Sequence, residues 1–500
     1  MTARPLIIAI DHGTTGLKIL ALDRAGVLRG RAVTPVTLSH PAPGWVEADA
    51  WTLWALTLPA IETALAQARA GWEDVHAIAI TNQRESVVAW DDDTGEPLAP
   101  AIIWQCRRTA AQCETLRKAG VEPLIRARTG LLLDPYFSAT KYQWLLENVT
   151  AVSDRAKAGK LRFGTIDSWI LWRLSGKRLH ISDLTNASRT LLFDIHRRQW
   201  DEELLALFNV PASALAQVTS SCAVYGATDP ALTGGRAIPL AGNAGDQQAG
   251  LYGQRAWTRG ATKLTIGTGA FLLANLGSDA QAEATSAPGL LTTLACNAAG
   301  EAAYALEGGV FCAGAALNWL GDALGLFADA TQADRLAASV PDSGGVTMIP
   351  AFTGLGAPHW RPEARGQLLG LSLRTTPAHL ARAAFDAIAL RAHDNLRALT
   401  PTVGPVAEIH LDGGVSQSPV LRQTLADILG VRLLCSDDPD VTARGAAYLG
   451  GLASGFWSSS AAIADLPHPA HEALPQRDAA WRAERLAHWD AAQGALLESS

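Results

Sequence analysis

One short pattern occurs twice in this chain, and it restricts the possible folds more than any other feature. Leu6–Ile10 is an apolar run rich in β-branched residues and reads as a buried strand. It runs into Asp11-His12-Gly13-Thr14-Thr15-Gly16, and a second strand-like run, Leu17–Leu22, follows at once. Past the midpoint, Thr262–Ile266 runs into Gly267-Thr268-Gly269, and Ala270–Leu276 continues as a strand. Both copies read strand, Gly/Thr turn, strand. Such a bend gathers backbone N–H groups that can hold phosphate oxygens, and the carboxylate of Asp11 can enter a magnesium shell. A single Gly-Thr-Thr-Gly also reads as a plain hairpin turn, because short glycine motifs often match by chance.

The repeat and a third element change that balance. Ile409–Asp412 reads as a strand ending in Gly413-Gly414, where missing side chains let a backbone approach a ligand closely. Two phosphate hairpins and a Gly-Gly turn beside a nucleoside form the plan of a duplicated ATP-binding fold. The pattern Gly-x-x-x-x-Gly-Lys-Ser/Thr does not occur, so a P-loop is excluded as the phosphate device.

A second constellation lies between the hairpins. Thr81-Asn82-Gln83-Arg84-Glu85 follows a predicted strand, and Trp104-Gln105-Cys106-Arg107-Arg108 and Asp134-Pro135-Tyr136-Phe137-Ser138 come after it. Arginine donates hydrogen bonds in a rigid fork, and a carboxylate only accepts them. Side by side they can read several hydroxyls, while aromatic rings cover a carbon backbone. That is the composition of a site for a small polyol.

Five hundred residues predict two or three domains with a large core. A net charge of −7, with no basic run beyond pairs such as Arg107-Arg108, argues against a nucleic-acid partner. Cys106, Cys113, Cys222, Cys296, Cys312 and Cys435 show no CxxC spacing and read as reduced thiols rather than a zinc site. There is no signal-peptide pattern and no apolar run of roughly 18 residues, so a cytoplasmic protein without membrane insertion is expected.

Strands are predicted at Leu6–Ile10, Leu17–Leu22, Gly26–Thr34, Val75–Ile80 and Ala237–Ala241, and a helix over Trp51–Ala68. The second half opens near Thr258, with helices beginning near Gly314, at about Pro377–Leu399 and at Ser418–Leu429. Gln476–Leu497 has helical spacing, and the tail beyond about Trp457 reads as a surface helix or two. Strand–helix alternation after an antiparallel start predicts an α/β fold with a mixed sheet in each half. The expected domains are residues 1–253, with the polyol fragment and first hairpin, and 254–500, with the second hairpin and nucleoside pocket.

These strings resemble the glycerol kinases of the FGGY carbohydrate kinase family, part of the group sharing the actin and hexokinase ATPase fold. The resemblance runs from Ile8 to about Trp457. It also rests on Tyr136 to Asn148, Thr185-Asn186-Ala187-Ser188-Arg189-Thr190, Ala244-Gly245-Asp246-Gln247-Gln248, Pro350 to Pro358 and Gly366 to Asp386. It implies two ribonuclease H-like domains, each a mixed sheet flanked by helices, with the active site in the cleft between them. It implies ATP and Mg2+ as cofactors, phosphorylation of glycerol to sn-glycerol 3-phosphate, and a homodimer or homotetramer. The resemblance assigns Asp246 as general base, although an aspartate in a glycine loop otherwise reads as a turn former. It assigns Arg84, Glu85, Tyr136 and Gln247 as polyol contacts, with Trp104 and Phe271 as walls; without it the aromatics read as core. Thr14, Thr15, Gly16, Lys18, Gly267 and Thr268 would surround the phosphates. Gly314, Asn318, Gly414 and Ser418 would line the nucleoside pocket, and Asp11 and Asp246 would hold the magnesium shell. Closure about a hinge near residues 250–262 would exclude water.

The chain also departs from the family pattern. His12 stands where glutamine is common; it either titrates near neutrality or acts as a neutral hydrogen-bonding replacement. Lys18 replaces an arginine, keeping the charge but losing the fork. Asn318 and Ser418 are shorter than the usual residues, which leaves nucleotide preference open. Gly234-Gly235-Arg236-Ala237 displaces the arginine of a sugar-bisphosphate loop, and Tyr225-Gly226-Ala227-Thr228 carries no histidine for phosphorylation, so neither control is expected. Two other readings compete: a kinase for dihydroxyacetone, glyceraldehyde or erythritol, and a catalytically silent nucleotide-binding protein. Neither Asp246 nor a hairpin is missing, which disfavours the silent reading.

Overall fold

Two mixed sheets of matching topology carry the chain in a computed structural model that describes residues 5–279 and 287–499. The first runs Val224–Ala227, Pro239–Gly245, Val75–Asn82, Leu6–His12, Gly16–Leu22, Leu28–Pro35. The second runs Leu291–Cys296, Ala302–Val310, Ala270–Gly277, Thr262–Ile266, Glu408–Asp412, Arg432–Ser436, Ala470–Ala473. In each, the first hairpin strand has antiparallel neighbours on one side. On the other side come two parallel strands and an antiparallel edge. The duplication predicted from the hairpins therefore extends through both sheets. A smaller sheet of Glu47–Ala48, Ala101–Ile102, Val87–Asp91 and Leu161–Thr165 is inserted in the first half.

The apolar runs become central strands because both faces are covered. Ile8, Ile10, Leu17 and Ile19 pack with Ile61, Ala64 and Leu65 of the helix Thr57–Ala68. On the opposite face, Ile7, Ala9, Leu20 and Leu22 pack with Ala443, Ala447, Tyr448 and Leu449. That second group lies on the helix Val441–Ala453, which follows a strand of the second sheet. The covering of the first sheet is thus completed from beyond residue 440. Its counterpart, the helix Asp246–Gly253, follows a strand of the first sheet and sets Leu251 against Leu273 and Ala305 of the second. The two helices cross at bare backbone. A Cβ on Gly445 would lie 1.8 Å from the Ala249 carbonyl oxygen, and one on Gly253 would lie 2.3 Å from that of Val441.

Several local expectations change, and the strand expected at Ala237–Ala241 runs Pro239–Gly245, extended by its pairing with Val75–Asn82. The third strand starts at Leu28 because Gly26, at φ +71°, closes a turn onto Asp23. The single helix Trp51–Ala68 is two, Ala50–Ala55 and Thr57–Ala68. The tail helix Ala479–Ser499 is not wholly superficial, since Trp489 is buried. Its indole N–H lies 3.1 and 3.2 Å from the two oxygens of Asp394, on the long helix Pro377–Val403, and Gln493 reaches the same carboxylate at 3.0 Å. All six cysteines are free and five are buried. Among the described residues, no helix is long and apolar enough to cross a membrane.

Candidate active site

Three parallel strands of the first sheet end side by side. Asp11 pairs in register with Thr81, and Asn82 with Gly245. Their carboxyl edge therefore carries Asp11, the Arg84-Glu85 pair and Asp246, and it is at this edge of parallel strands that α/β folds bind ligands. On the second sheet the matching strands run into Gly267 and into Gly413-Gly414.

Arg84 is the hub. Its Nη1 and Nη2 lie 2.5 and 3.2 Å from the two carboxylate oxygens of Glu307. Nε lies 3.3 Å from Asp246 Oδ1, Nη1 donates to Gln248 Oε1 at 3.3 Å, and Nη2 to the Tyr136 hydroxyl at 3.4 Å. The Phe271 ring lies 6.0 Å from the guanidinium carbon. Glu85 sits at φ +60°, a left-handed conformation uncommon for a residue with a side chain. Its Oε1 accepts from Arg189 Nε at 2.6 Å, nearer than Arg84 Nε at 3.9 Å. Buried Lys141 ties the surrounding loops, donating to the carbonyls of Tyr136, Glu85 and Phe137 at 2.5, 3.2 and 3.2 Å.

Charge in this region is set by burial and pairing together. Burial pushes Glu307 up, but Arg189 and Arg84 outweigh it and pull the carboxyl down to about 2. Burial raises Asp246 against the opposing pull of Arg84 and Lys263. Asp246 opens its helix, where the N-terminal dipole favours a carboxylate. The preceding N–H, of Gly245, donates to Thr185 Oγ1 at 2.8 Å, and that hydroxyl donates to Asp183 at 2.6 Å. Gln247 Oε1 accepts from Lys263 Nζ at 2.7 Å, so this end of its amide is already engaged.

The first hairpin closes by a 3.0 Å bond from Gly13 N–H to the Gly16 carbonyl. Trp104 donates its indole N–H to Thr14 Oγ1 at 2.8 Å and stands edge-on to Tyr136, with ring centres 5.6 Å apart. The aromatic wall is thereby fastened to the hairpin. Lys18 Nζ lies 3.9 Å from Asp11 and 3.5 Å from Asp440. Burial raises Asp11 to about 6, Lys18 opposes, and the charges of Asp246 and Asp440 add to the rise. His12 does not titrate near neutrality. It is fully buried, its Nε2 is 3.0 Å from the Leu53 carbonyl oxygen, and burial pushes it down to about 4.

The second hairpin is braced against the next helix. Its Gly267 carbonyl accepts from Gly314 N–H at 3.0 Å, and its Thr268 carbonyl from Ala313 N–H at 2.9 Å. A Cβ on Gly314 would lie 2.6 Å from the Gly267 oxygen. Beyond it opens a cavity of about 420 Å³ lined by Gly314, Leu317, Asn318, Phe327, Phe385, Gly414 and Ser418. The Ser418 hydroxyl is occupied: it caps the helix Pro419–Leu429 through Leu421 N–H at 3.0 Å and bonds Asp334. Thr15, Thr268, Asn318 and Gly414 are exposed, and Gly16 is half-buried.

Residues 6–253 match the N-terminal domain of the FGGY family of carbohydrate kinases, and residues 262–454 match its C-terminal domain. The chain belongs to this family. It is 48% identical over 480 residues to a glycerol kinase of Aromatoleum aromaticum, covering 96% of this chain and 93% of that one. With a glycerol kinase of Rhodopirellula baltica it shares 46% identity over 487 residues, covering 97% of this chain and 90% of the other. Among solved structures, a Plasmodium falciparum glycerol kinase with ADP superposes at a TM-score of 0.89, at 30% identity, covering 99% of this chain and 98% of that one. The paired sheets are the FGGY form of the actin-like ATPase fold.

Sequence reasoning gives no role to Arg189 and Glu307, which the structure bonds to Arg84 and Glu85. Arg189 lies in the stretch Thr185–Thr190 that resembles the family, which by itself gives it no chemistry. Glu307 is the one charge in the strand Ala302–Val310, and a carboxylate in so apolar a strand requires a buried partner. That signal was available, but it does not name the partner.

Proposed function

We propose that this chain transfers the γ-phosphoryl group of ATP to a terminal hydroxyl of glycerol, giving sn-glycerol 3-phosphate and ADP. The reading is carried by Arg84, whose one guanidinium touches Asp246 and Tyr136, faces Phe271, and is rigidly held from behind by Glu307. Asp246 takes the hydroxyl proton, and its raised affinity for protons suits it as a base. Arg84 donates to one polyol hydroxyl and Glu85 accepts from another. Trp104, Tyr136 and Phe271 enclose the carbon chain. Gln247 has its N–H2 for substrate, since Lys263 holds the oxygen. Thr14, Thr15, Gly16 and Thr268 bring backbone and hydroxyl donors to the phosphates, Gly267, whose N–H is held by the Gly269 carbonyl at 2.8 Å, lets them approach the second turn closely, and Lys18 supplies a point charge. Gly314, Asn318 and Gly414 border the nucleoside, with Ser418 shaping the pocket through its cap.

The residues fit a magnesium ion: Asp11 and Asp246 share the carboxyl edge of the sheet, and burial first, with the charge of Asp246 adding to it, raises Asp11, a cost that a cation would relieve. Asp11 and Asp246 would hold it, and when bound it supplies charge neutralisation at the phosphate oxygens. Free, largely buried thiols support a cytoplasmic location.

The test is acceptor-dependent ADP release with ATP and magnesium on glycerol, dihydroxyacetone, erythritol, xylulose and no acceptor. Glycerol is expected to give the highest kcat/KM, and Asp246→Asn to lower kcat by about 10²–10⁴-fold. A better acceptor elsewhere in the panel would change the substrate. Full activity of the variant would remove Asp246 as base.

A further inference from the structure

Four charges alternate around a closed ring beneath the polyol contacts. Arg84 meets Glu307 at 2.5 Å, Glu307 meets Arg189 at 2.8 Å, Arg189 meets Glu85 at 2.6 Å, and Glu85 returns to Arg84 at 3.9 Å. All four side chains are buried, none more than 2% exposed. Arg84 and Glu85 belong to the loop after one first-sheet strand, and Arg189 follows the short helix Leu184–Ala187. Glu307 alone comes from the second sheet. Its strand alternates: Tyr304 and Leu306 turn to the core beneath that sheet, while Ala305 faces Leu251 of the helix bearing Asp246. Glu307 follows Ala305 in that alternation and so projects toward the first half.

We propose that Glu307 and Arg189 are positioning residues that set the polyol-reading orientation of Arg84 and Glu85, and that Glu307 does so from across the cleft. The inference rests on the kinase reading above and names a part of that site no resemblance assigned. Buried opposite charges hold geometry firmly when every partner is present and lose it when one is removed. With both terminal nitrogens of Arg84 on Glu307, the Nε edge is presented to Asp246, and further donor capacity on Nη2 goes toward Tyr136 and the substrate. Contacts to Glu85 gather on Oε1, leaving Oε2 for a hydroxyl. Neutralising Glu307 would leave two arginines competing for Glu85, and Arg84 would turn onto Glu85 or Asp246. The polyol readers would then bond each other instead of substrate. Because one member sits on the other sheet, the ring also makes acceptor binding depend on how the halves are placed.

The deciding experiment compares Glu307→Gln with the unaltered protein by steady-state kinetics and by calorimetric binding of glycerol. Expected is a rise of about tenfold to a hundredfold in KM and Kd for glycerol, the range for losing a charged hydrogen bond, with the KM for ATP moved less than about twofold. Equal loss toward glycerol and ATP, or unchanged glycerol affinity with only a lower Tm, would overturn the proposal. If Glu307→Gln does not fold, Arg189→Lys carries the same test: it keeps the charge, loses the fork, and should show the same acceptor-only loss. Calorimetry separates this from the function itself. Glycerol binding that the variant weakens supports the ring even if no ADP is released. Absence of glycerol binding to the unaltered protein overturns both.

Discussion

His12 and His180 are held as neutral rings, each with Nε2 near a backbone carbonyl oxygen, Leu53 at 3.0 Å and Phe163 at 2.9 Å. Burial pushes both down to about 4. The unfolded chain, with histidines near 6.5, takes up protons first as pH falls. The stability tied to these rings is therefore whole above about 6.5 and is lost as pH drops through about 4. Across that window each ring should contribute a fall of about 3 kcal/mol in stability, which the raised carboxyl of Asp11 partly offsets, and His180→Asn should shrink the fall read in Tm. An identical fall in the variant would remove desolvation of His180 as a cause. The same burial explains what sequence could offer at this scale. Asp11 and Arg84 stand out because strand ends frame them, whereas Asp246 in its glycine loop reads locally as a turn former and is singled out only through the family resemblance. Arg189 and Glu307 were not legible, because they stand 118 positions apart and a lone charge does not announce its partner.

The two helices that cross between the sheets set the position of Asp246. Gly445→Ala would press a methyl group into the Ala249 backbone, 1.8 Å away, and the flanking carbonyl has no rotamer to yield. A loss of about 1–3 kcal/mol is expected, together with a lower kcat because the displaced helix begins at Asp246. Gly494→Ala in the tail helix meets open space and should gain about 0.5–1 kcal/mol, with kcat unchanged. Paired melting and kinetic measurements check both; kcat surviving in Gly445→Ala would separate the crossing from catalysis. Strands and hairpins were legible from period and turn chemistry. The crossing was not, since glycine in a helix reads locally as a weakness and only the neighbouring backbone gives it a reason.

At the scale of the molecule, the tail helix is anchored by Trp489 on Asp394, in the same long helix whose Phe385 lines the cavity beside Gly314. Trp489→Ala should cost about 3–5 kcal/mol, read as a lower Tm. An unchanged Tm would make the tail dispensable. Scattering should show a more compact particle with glycerol and a non-hydrolysable ATP analogue than with neither, and equal compactness would remove the hinge near residues 250–262. The duplication behind these expectations was visible in two Gly/Thr turns, because a repeated local signal survives without knowledge of contacts. The exchange of helices between halves was not visible, since it depends on packing between distant segments. That exchange also bears on how the chain is made. The face formed by Ile7, Ala9, Leu20 and Leu22 is synthesised long before part of its cover, which includes Tyr448, Leu449 and Ile463. A nascent chain must carry that apolar face without this cover until residues 443–463 have been made, so a fragment ending at residue 253 should aggregate and be rescued by co-expression of the remainder.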